Sequence, residues 1–181
     1  MHKLSLRARV LTGVAAAISA MALGVVAAQP AAATTGIPVG FGFVAPQVAG
    51  FPTGAVFLAG GGAYDPSTGF VHAGGAFNCT ASVNQGPLAG CQAHEGVRWD
   101  TDHLLSSTPF KCTANGTLKT ATTGDDTVVV QADFYRAGDG NNESFSAQMI
   151  VSEHDLAPGV LGMQNVWVQG VGCGAALAHF A

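Results

Sequence analysis

Charge is what this chain has least of. Asp, Glu, Lys and Arg make up 10% of its 181 residues, where a soluble domain averages roughly 25%. The shortage is sharper on the basic side. Of seven Lys and Arg residues, three (Lys3, Arg7, Arg9) fall in the first nine positions, which leaves Arg98, Lys111, Lys119 and Arg136 to face eleven acids. A domain of that balance has no electrostatic footprint for DNA, RNA or an anionic membrane surface, and nucleic acid is excluded as a partner. Helical periodicity is also missing: after the first thirty-odd residues no apolar pattern of period 3.6 lasts beyond two turns. Chemistry-bearing motifs are absent too. No G-x-S-x-G presents a nucleophile, and no H-E-x-x-H or paired C-x-x-C supplies metal ligands. No Lys-Ser/Thr follows Gly60-Gly61-Gly62 to make a phosphate cradle, so those glycines are expected to mark a bulge or close strand packing. No cofactor is implied.

The first 33 residues follow another logic. A basic start, an uncharged alanine-rich run from Val10 to Ala28, and small residues at Ala31 and Ala33 give the order basic, apolar, small of a secretory signal peptide, with cleavage expected after Ala33. The competing reading is a membrane anchor, since the run is near the roughly 18 residues needed to span. Its Ala and Gly content and the A-x-A pattern favour removal. The protein is therefore expected to be secreted or held at the exterior of the cell envelope, with no membrane contact once the signal is cleaved.

What the mature chain does contain is β pattern. The segment Thr127 to Glu153 is the clearest: Val128, Val130, Ala132 and Phe134 alternate with more polar neighbours, as do Phe145, Ala147, Met149 and Val151. Between them Ala137-Gly138-Asp139-Gly140-Asn141-Asn142 lets the chain reverse. A hairpin of this kind needs other strands to cover its apolar face. Candidates lie at Ala55 to Tyr64, Phe70 to Val83, Glu95 to Asp102, Phe110 to Ala114, Thr117 to Thr122 and Val166 to Cys173. Asp65-Pro66-Ser67-Thr68-Gly69 and Asn115-Gly116 serve as turns, and a helical turn is expected at His103-Leu104-Leu105. Thr34 to Pro52 mixes Gly and Pro with scattered Phe and Val, and reads as an irregular arm with at most a short strand at Val39 to Val44. The expectation is a single all-β domain over residues 53–181, an antiparallel β-sandwich or small β-barrel, preceded by the 34–52 arm and the 1–33 signal.

Cys79, Cys91, Cys112 and Cys173 all follow the cleavage site, and an even number in an exported chain implies two disulfides. Three pairings are possible; the preferred one joins Cys79 to Cys91 and Cys112 to Cys173. The wide spacings argue against zinc.

Polar candidates cluster at His94-Glu95, Arg98, Asp100, Asp102 and His103. Such a set could bind a metal or supply a general acid and base, but it is more often a solvated loop around a tryptophan. The residues taken forward as ligand-binding candidates are Trp99, Tyr135, Arg98, His94 and His103, with Tyr135 on the hairpin face opposite Phe134. No catalytic or metal residue is assigned. Glu153-His154-Asp155 lacks a partnered serine, and Asp139 to Glu143 lacks the full calcium-loop pattern and reads as a turn.

The alanine-rich leader and glycine-rich, lysine-poor body resemble exported proteins of high-GC Gram-positive bacteria. The arrangement of an exported acidic β domain with four cysteines, a first pair bracketing CTASVNQGPLAGC and a last cysteine near a carboxyl end in Phe180 is similar to the secreted subtilisin-inhibitor family, although Cys112 and Cys173 lie much further apart than in that family. Three functions follow. The first is a non-enzymatic exported domain binding a small molecule or an extracellular protein. The second, which the resemblance implies, is a protease inhibitor with a reactive loop at Ser106 to Lys111. The third is a metal-assisted hydrolase using His94, Asp102 and His103.

Overall fold

The computed structural model describes residues 36–181, so the expected signal peptide lies outside the described residues. Ten strands follow one another with no helix among the described residues: β1 (Val39–Gly50), β2 (Ala55–Asp65), β3 (Phe70–Ala81), β4 (Arg98–Leu104), β5 (Ser107–Phe110), β6 (Lys119–Thr122), β7 (Thr127–Tyr135), β8 (Phe145–Ser152), β9 (Val166–Val168) and β10 (Gly172–Phe180). Eight of them close into an antiparallel barrel in the order β1-β10-β9-β8-β7-β4-β3-β2. Each strand pairs with its neighbours in sequence, except that β5 and β6 leave the wall as a separate hairpin between β4 and β7. The domain is thus an up-and-down barrel with one excursion, and closure leaves no edge strand in its wall.

The β7–β8 hairpin has the register its alternation demands, Thr127 opposite Ser152 through Phe134 opposite Phe145. Its inward residues Val128, Val130, Ala132, Phe134, Ala147, Met149 and Val151 are all fully buried. Side chains fill the barrel. Phe77 meets Phe134 edge-on at 4.8 Å between ring centres, Phe43 lies against Trp99 at 5.9 Å, and Phe41, Tyr64 and Phe180 form a second aromatic group with spacings from 5.8 to 6.2 Å. Trp99 is the largest fully buried side chain, and its indole Nε1 donates to the Ala59 carbonyl at 3.1 Å. The glycine run expected to mark close packing does so here. A Cβ on Gly60 would stand 2.8 Å from the Trp99 ring, and one on Gly75, opposite both Gly60 and Trp99, would run into the Ala59 carbonyl.

Three expectations need correction. Val39 to Gly50 is a twelve-residue barrel strand and not an irregular arm: Phe41, Phe43, Ala45 and Val48 point inward and are buried. The register shifts between Val44 and Gln47 against β10, and between Ala45 and Val48 against β2. Pro46, which has no N–H to give, sits within that bulge. The last predicted strand is two, because the chain turns at Gln169 to Val171 and returns as β10 to pair with β1. The helical turn at His103 is the end of β4, held by pairing to Gln131 and Val130.

Both preferred disulfides are present, Cys79–Cys91 and Cys112–Cys173, with Cα separations of 6.3 and 4.7 Å. The second ties the β5–β6 hairpin to the wall. Beneath it lies a small outer core in which Phe110 and Trp167 meet edge-on at 5.9 Å, beside Val129 and Ile150, and the Trp167 Nε1 donates to the Lys111 carbonyl at 2.8 Å.

Two stability effects are expected. By chain entropy the Cys112–Cys173 bond, spanning 61 residues, stabilises by about 4 kcal/mol, and the Cys79–Cys91 bond, spanning 12, by about 3 kcal/mol. Denaturant unfolding of the Cys→Ser pairs should rank them in that order. Trp99→Ala should cost roughly 3–5 kcal/mol by the same measurement, through the cavity it opens.

Candidate binding surfaces on the barrel wall

Strand alternation distributes the predicted ligand residues to different places. β4 turns Trp99 inward, where it is 1% exposed and belongs to the core, so it faces no ligand mouth. Arg98 and Asp100 turn outward. The Arg98 guanidinium lies 3.7 Å from the centre of the Tyr135 ring and is paired with Asp100, while the Tyr135 hydroxyl donates to the other Asp100 oxygen at 3.2 Å. Partial burial, and then the Asp100 charge, hold the Tyr135 hydroxyl above the usual tyrosine range, so it stays a neutral donor. His103 pairs with Asp102 through Nδ1 at 2.8 Å, with both side chains about half exposed. His94 is on the connection after the Cys79–Cys91 disulfide. It takes a left-handed conformation (φ 70°), and its amide donates to the Cys79 carbonyl at 2.6 Å. The structure therefore brings Arg98 and Tyr135 together, sends Trp99 to the core, and puts His94 and His103 to separate local tasks.

Around Arg98 the wall is acidic. Asp100 and Asp133 sit directly opposite each other on β4 and β7, an arrangement that repels when both are ionised. Asp133 also bears on Glu143: its charge, then the hydrogen bond between the two carboxyls, holds Glu143 above the usual carboxyl range. Other acids are stabilised as anions. Asp139 is lowered first by the Ser144 hydroxyl, at 2.6 Å, and then by Arg136, which keeps the β7–β8 turn closed. Asp126 is lowered first by its bond to His154 at 2.7 Å. Among the described residues no group of three or more His, Cys, Asp or Glu side chains is placed to share a metal ion. His94, Asp102 and His103 do not form one.

On the opposite wall the one acid is Asp65 at the end of β2, which is buried, and the exposed positions carry no ionisable side chain other than histidine. On β10, β1 and β2 the outward positions are Ala175, Leu177 and His179, then Gly40, Gly42 and Val44, then Ala59, Gly61 and Ala63. Val44 stands between Leu177 and Ala59, and Gly42 between His179 and Gly61, which in turn faces Gly74 on β3. Leu177 is 84% exposed and Val44 44%. An apolar ridge thus borders a strip almost without side chains. Sequence reasoning passed over this surface because its residues, small or singly apolar, carry no motif. The available signal was the glycine and alanine at alternate positions of two adjacent strands.

The expected inhibitory loop, Ser106 to Lys111, is mostly β5: Thr108 and Phe110 are buried and the strand pairs with β6. No protein family, no curated protein and no solved structure matches the chain at a significant level.

The acidic wall makes a pH prediction. Glu143, raised in the fold, contributes stability that is present below its unfolded pKa and lost as pH rises through its folded one; Asp139 and Asp126, both lowered, do the reverse. Asp133→Asn removes the main cause at Glu143 and the repulsion with Asp100. Thermal unfolding should give a Tm about a degree or two higher at pH 7 and no gain at pH 3, where Glu143, raised from its ordinary value, is neutral.

Proposed function

We propose that the protein is an exported, non-enzymatic binding module that engages an extracellular protein partner across the uncharged wall of β10, β1 and β2, and does not hold a ligand inside the barrel. The observation that carries this is the combination of a barrel interior filled by its own aromatic rings with an outer face on which Leu177 and Val44 are left to solvent. Small eight-stranded barrels that carry a ligand keep interior room for it. Adjacent apolar side chains left to solvent beside an uncharged strip suit contact with another surface. Charge supports the choice of wall: an acidic protein approaches another macromolecule most easily where its acids are absent. Two disulfides favour an oxidising compartment. Apolar residues inside and Arg98, Asp100 and Asp133 on the wall are the reverse of a membrane-spanning barrel's pattern.

Binding is preferred to catalysis because both arginines of the barrel and two of its histidines are engaged with carboxylates. Arg98 pairs with Asp100, His103 with Asp102, Arg136 with Asp139 and His154 with Asp126. The inhibitor reading loses its candidate loop to β5, and the hydrolase reading loses its shared site.

A photo-crosslinking residue at position 177, in protein exported by its own host, should give a discrete adduct, while the same probe at position 133 should not. An adduct of twice the chain mass would identify the partner as a second copy. Leu177→Asp should abolish capture with little change in stability, within about 0.5 kcal/mol for a residue this exposed. Adducts from 133 but not 177, or none from either, would end this reading.

A further inference from the structure

A second surface has the features of a small-molecule site. The 153–165 connection between β8 and β9 folds against the tip of the β5–β6 hairpin, and between them lies a half-open cavity of about 240 Å³ beside the Cys112–Cys173 disulfide. Ala157 and Val160 line one side, and Thr113, Thr117 and Lys119 line the other. The base of the connection is fixed by one carboxylate oxygen. Asp155 Oδ1 accepts from the amides of Ala157 at 2.8 Å and Gln164 at 3.1 Å, and the Leu156 amide donates to the Gln164 carbonyl at 2.7 Å. Beyond that clasp the chain exposes Val160, Leu161 and Met163 at 46, 100 and 49%, a run of apolar surface at the cavity's rim.

Lys119 sets the chemistry. Arg98 and Arg136 spend their charge on carboxylates. The Lys119 ammonium instead donates to the neutral Leu156 carbonyl at 2.7 Å and is in no ion pair among the described residues. Of its three N–H groups, two remain for an acceptor. A partly buried cation with two threonines on its side of a cleft, across from apolar residues, is complementary to a molecule with an anionic head and a short apolar tail.

We propose that this cleft binds a small amphiphilic carboxylate, its head on Lys119 and the two threonines and its tail against Ala157 and Val160. At about 240 Å³ the cavity is smaller than the roughly 300–1,000 Å³ of a drug-sized pocket, so the ligand is a short one. This site is on a different part of the barrel from the Leu177 wall and does not depend on it.

The test uses the disulfide-intact mature protein and three six-carbon probes: hexanoate, hexanol and hexylammonium. NMR titration should show saturable hexanoate binding, with a dissociation constant on the order of 1 mM for so few atoms, and shifts at the amides of Thr113, Thr117 and Ala157. Hexanol should bind at least tenfold more weakly, and hexylammonium should not bind. Lys119→Met should weaken hexanoate at least tenfold and leave hexanol unchanged, while Lys119→Arg should retain binding. Val160→Glu, which leaves the Lys119 bond to Leu156 in place, should also remove it and covers the case in which Lys119→Met does not fold. No saturable hexanoate binding, equal binding of all three probes, or binding unaffected by Lys119→Met or Val160→Glu would overturn the proposal.

Discussion

Seating one indole inside an eight-stranded barrel is the constraint on which the rest of this structure depends. Trp99 needs both space and an acceptor, and β2 and β3 supply them by leaving out side chains at Gly60 and Gly75. The Ala59 carbonyl takes the indole N–H, so the one polar group of the ring is satisfied in an otherwise apolar interior. Phe43 then lies against the ring, and Phe41, Tyr64 and Phe180 pack further along. Tyr64 reaches out with its hydroxyl to the Gly124 carbonyl at 2.6 Å, linking this aromatic group to the turn before β7. A side chain at Gly60 would run into the Trp99 ring, and one at Gly75 into the Ala59 carbonyl that the indole uses.

The same glycines shape the outside. β strands point successive residues to opposite faces, so a glycine run that makes room inside at Gly60 and Gly62 also leaves Gly61 bare outside, next to Gly42 and Gly74. A packing demand in the core therefore produces a smooth strip on the wall. Two consequences of one sequence choice account for the filled interior and for the uncharged face.

Much of this was legible in the sequence where local pattern and tertiary environment agree. The β7–β8 hairpin and the turn at Asp65 to Gly69 fall where residue chemistry places them, because each is fixed by near neighbours, and the preferred cysteine pairing is the one present. The hairpin around Asn115-Gly116 exists, but its strands are Ser107–Phe110 and Lys119–Thr122 across an eight-residue connection, not Phe110 to Ala114 and Thr117 to Thr122 across a tight turn. β1 was hidden. Its Gly40, Gly42 and Pro46 depress β propensity, and only pairing with β2 and β10 on both sides overrides that. The boundary between β9 and β10 was hidden for a related reason: Gln169-Gly170-Val171 carries one glycine in a run that otherwise keeps its phase, and the reversal is enforced by barrel closure. An Arg-Trp-Asp triplet does not reveal which face is inward, so Trp99 reads from the sequence as a ligand-binding candidate. The alternation of a seven-residue strand fixes which residues share a face, and only the partner strands fix which face is the core.

The location of function follows from this division of labour. Of the nine large apolar residues left exposed among the described residues, Leu177 and Val44 neighbour each other on the wall and Val160, Leu161 and Met163 follow one another in the 153–165 connection, while Ile37, Phe70, Val97 and Leu118 are exposed as well. The two groups differ in what surrounds them. The wall residues sit in a flat, uncharged strip with backbone close to the surface, which suits another broad surface. The loop residues surround a concave space with a cation in it, which suits a compact anion. The two proposals, a macromolecular contact and a small-molecule site, differ by geometry, and they rest on the positions of Leu177 and Lys119 more than on any motif in the chain.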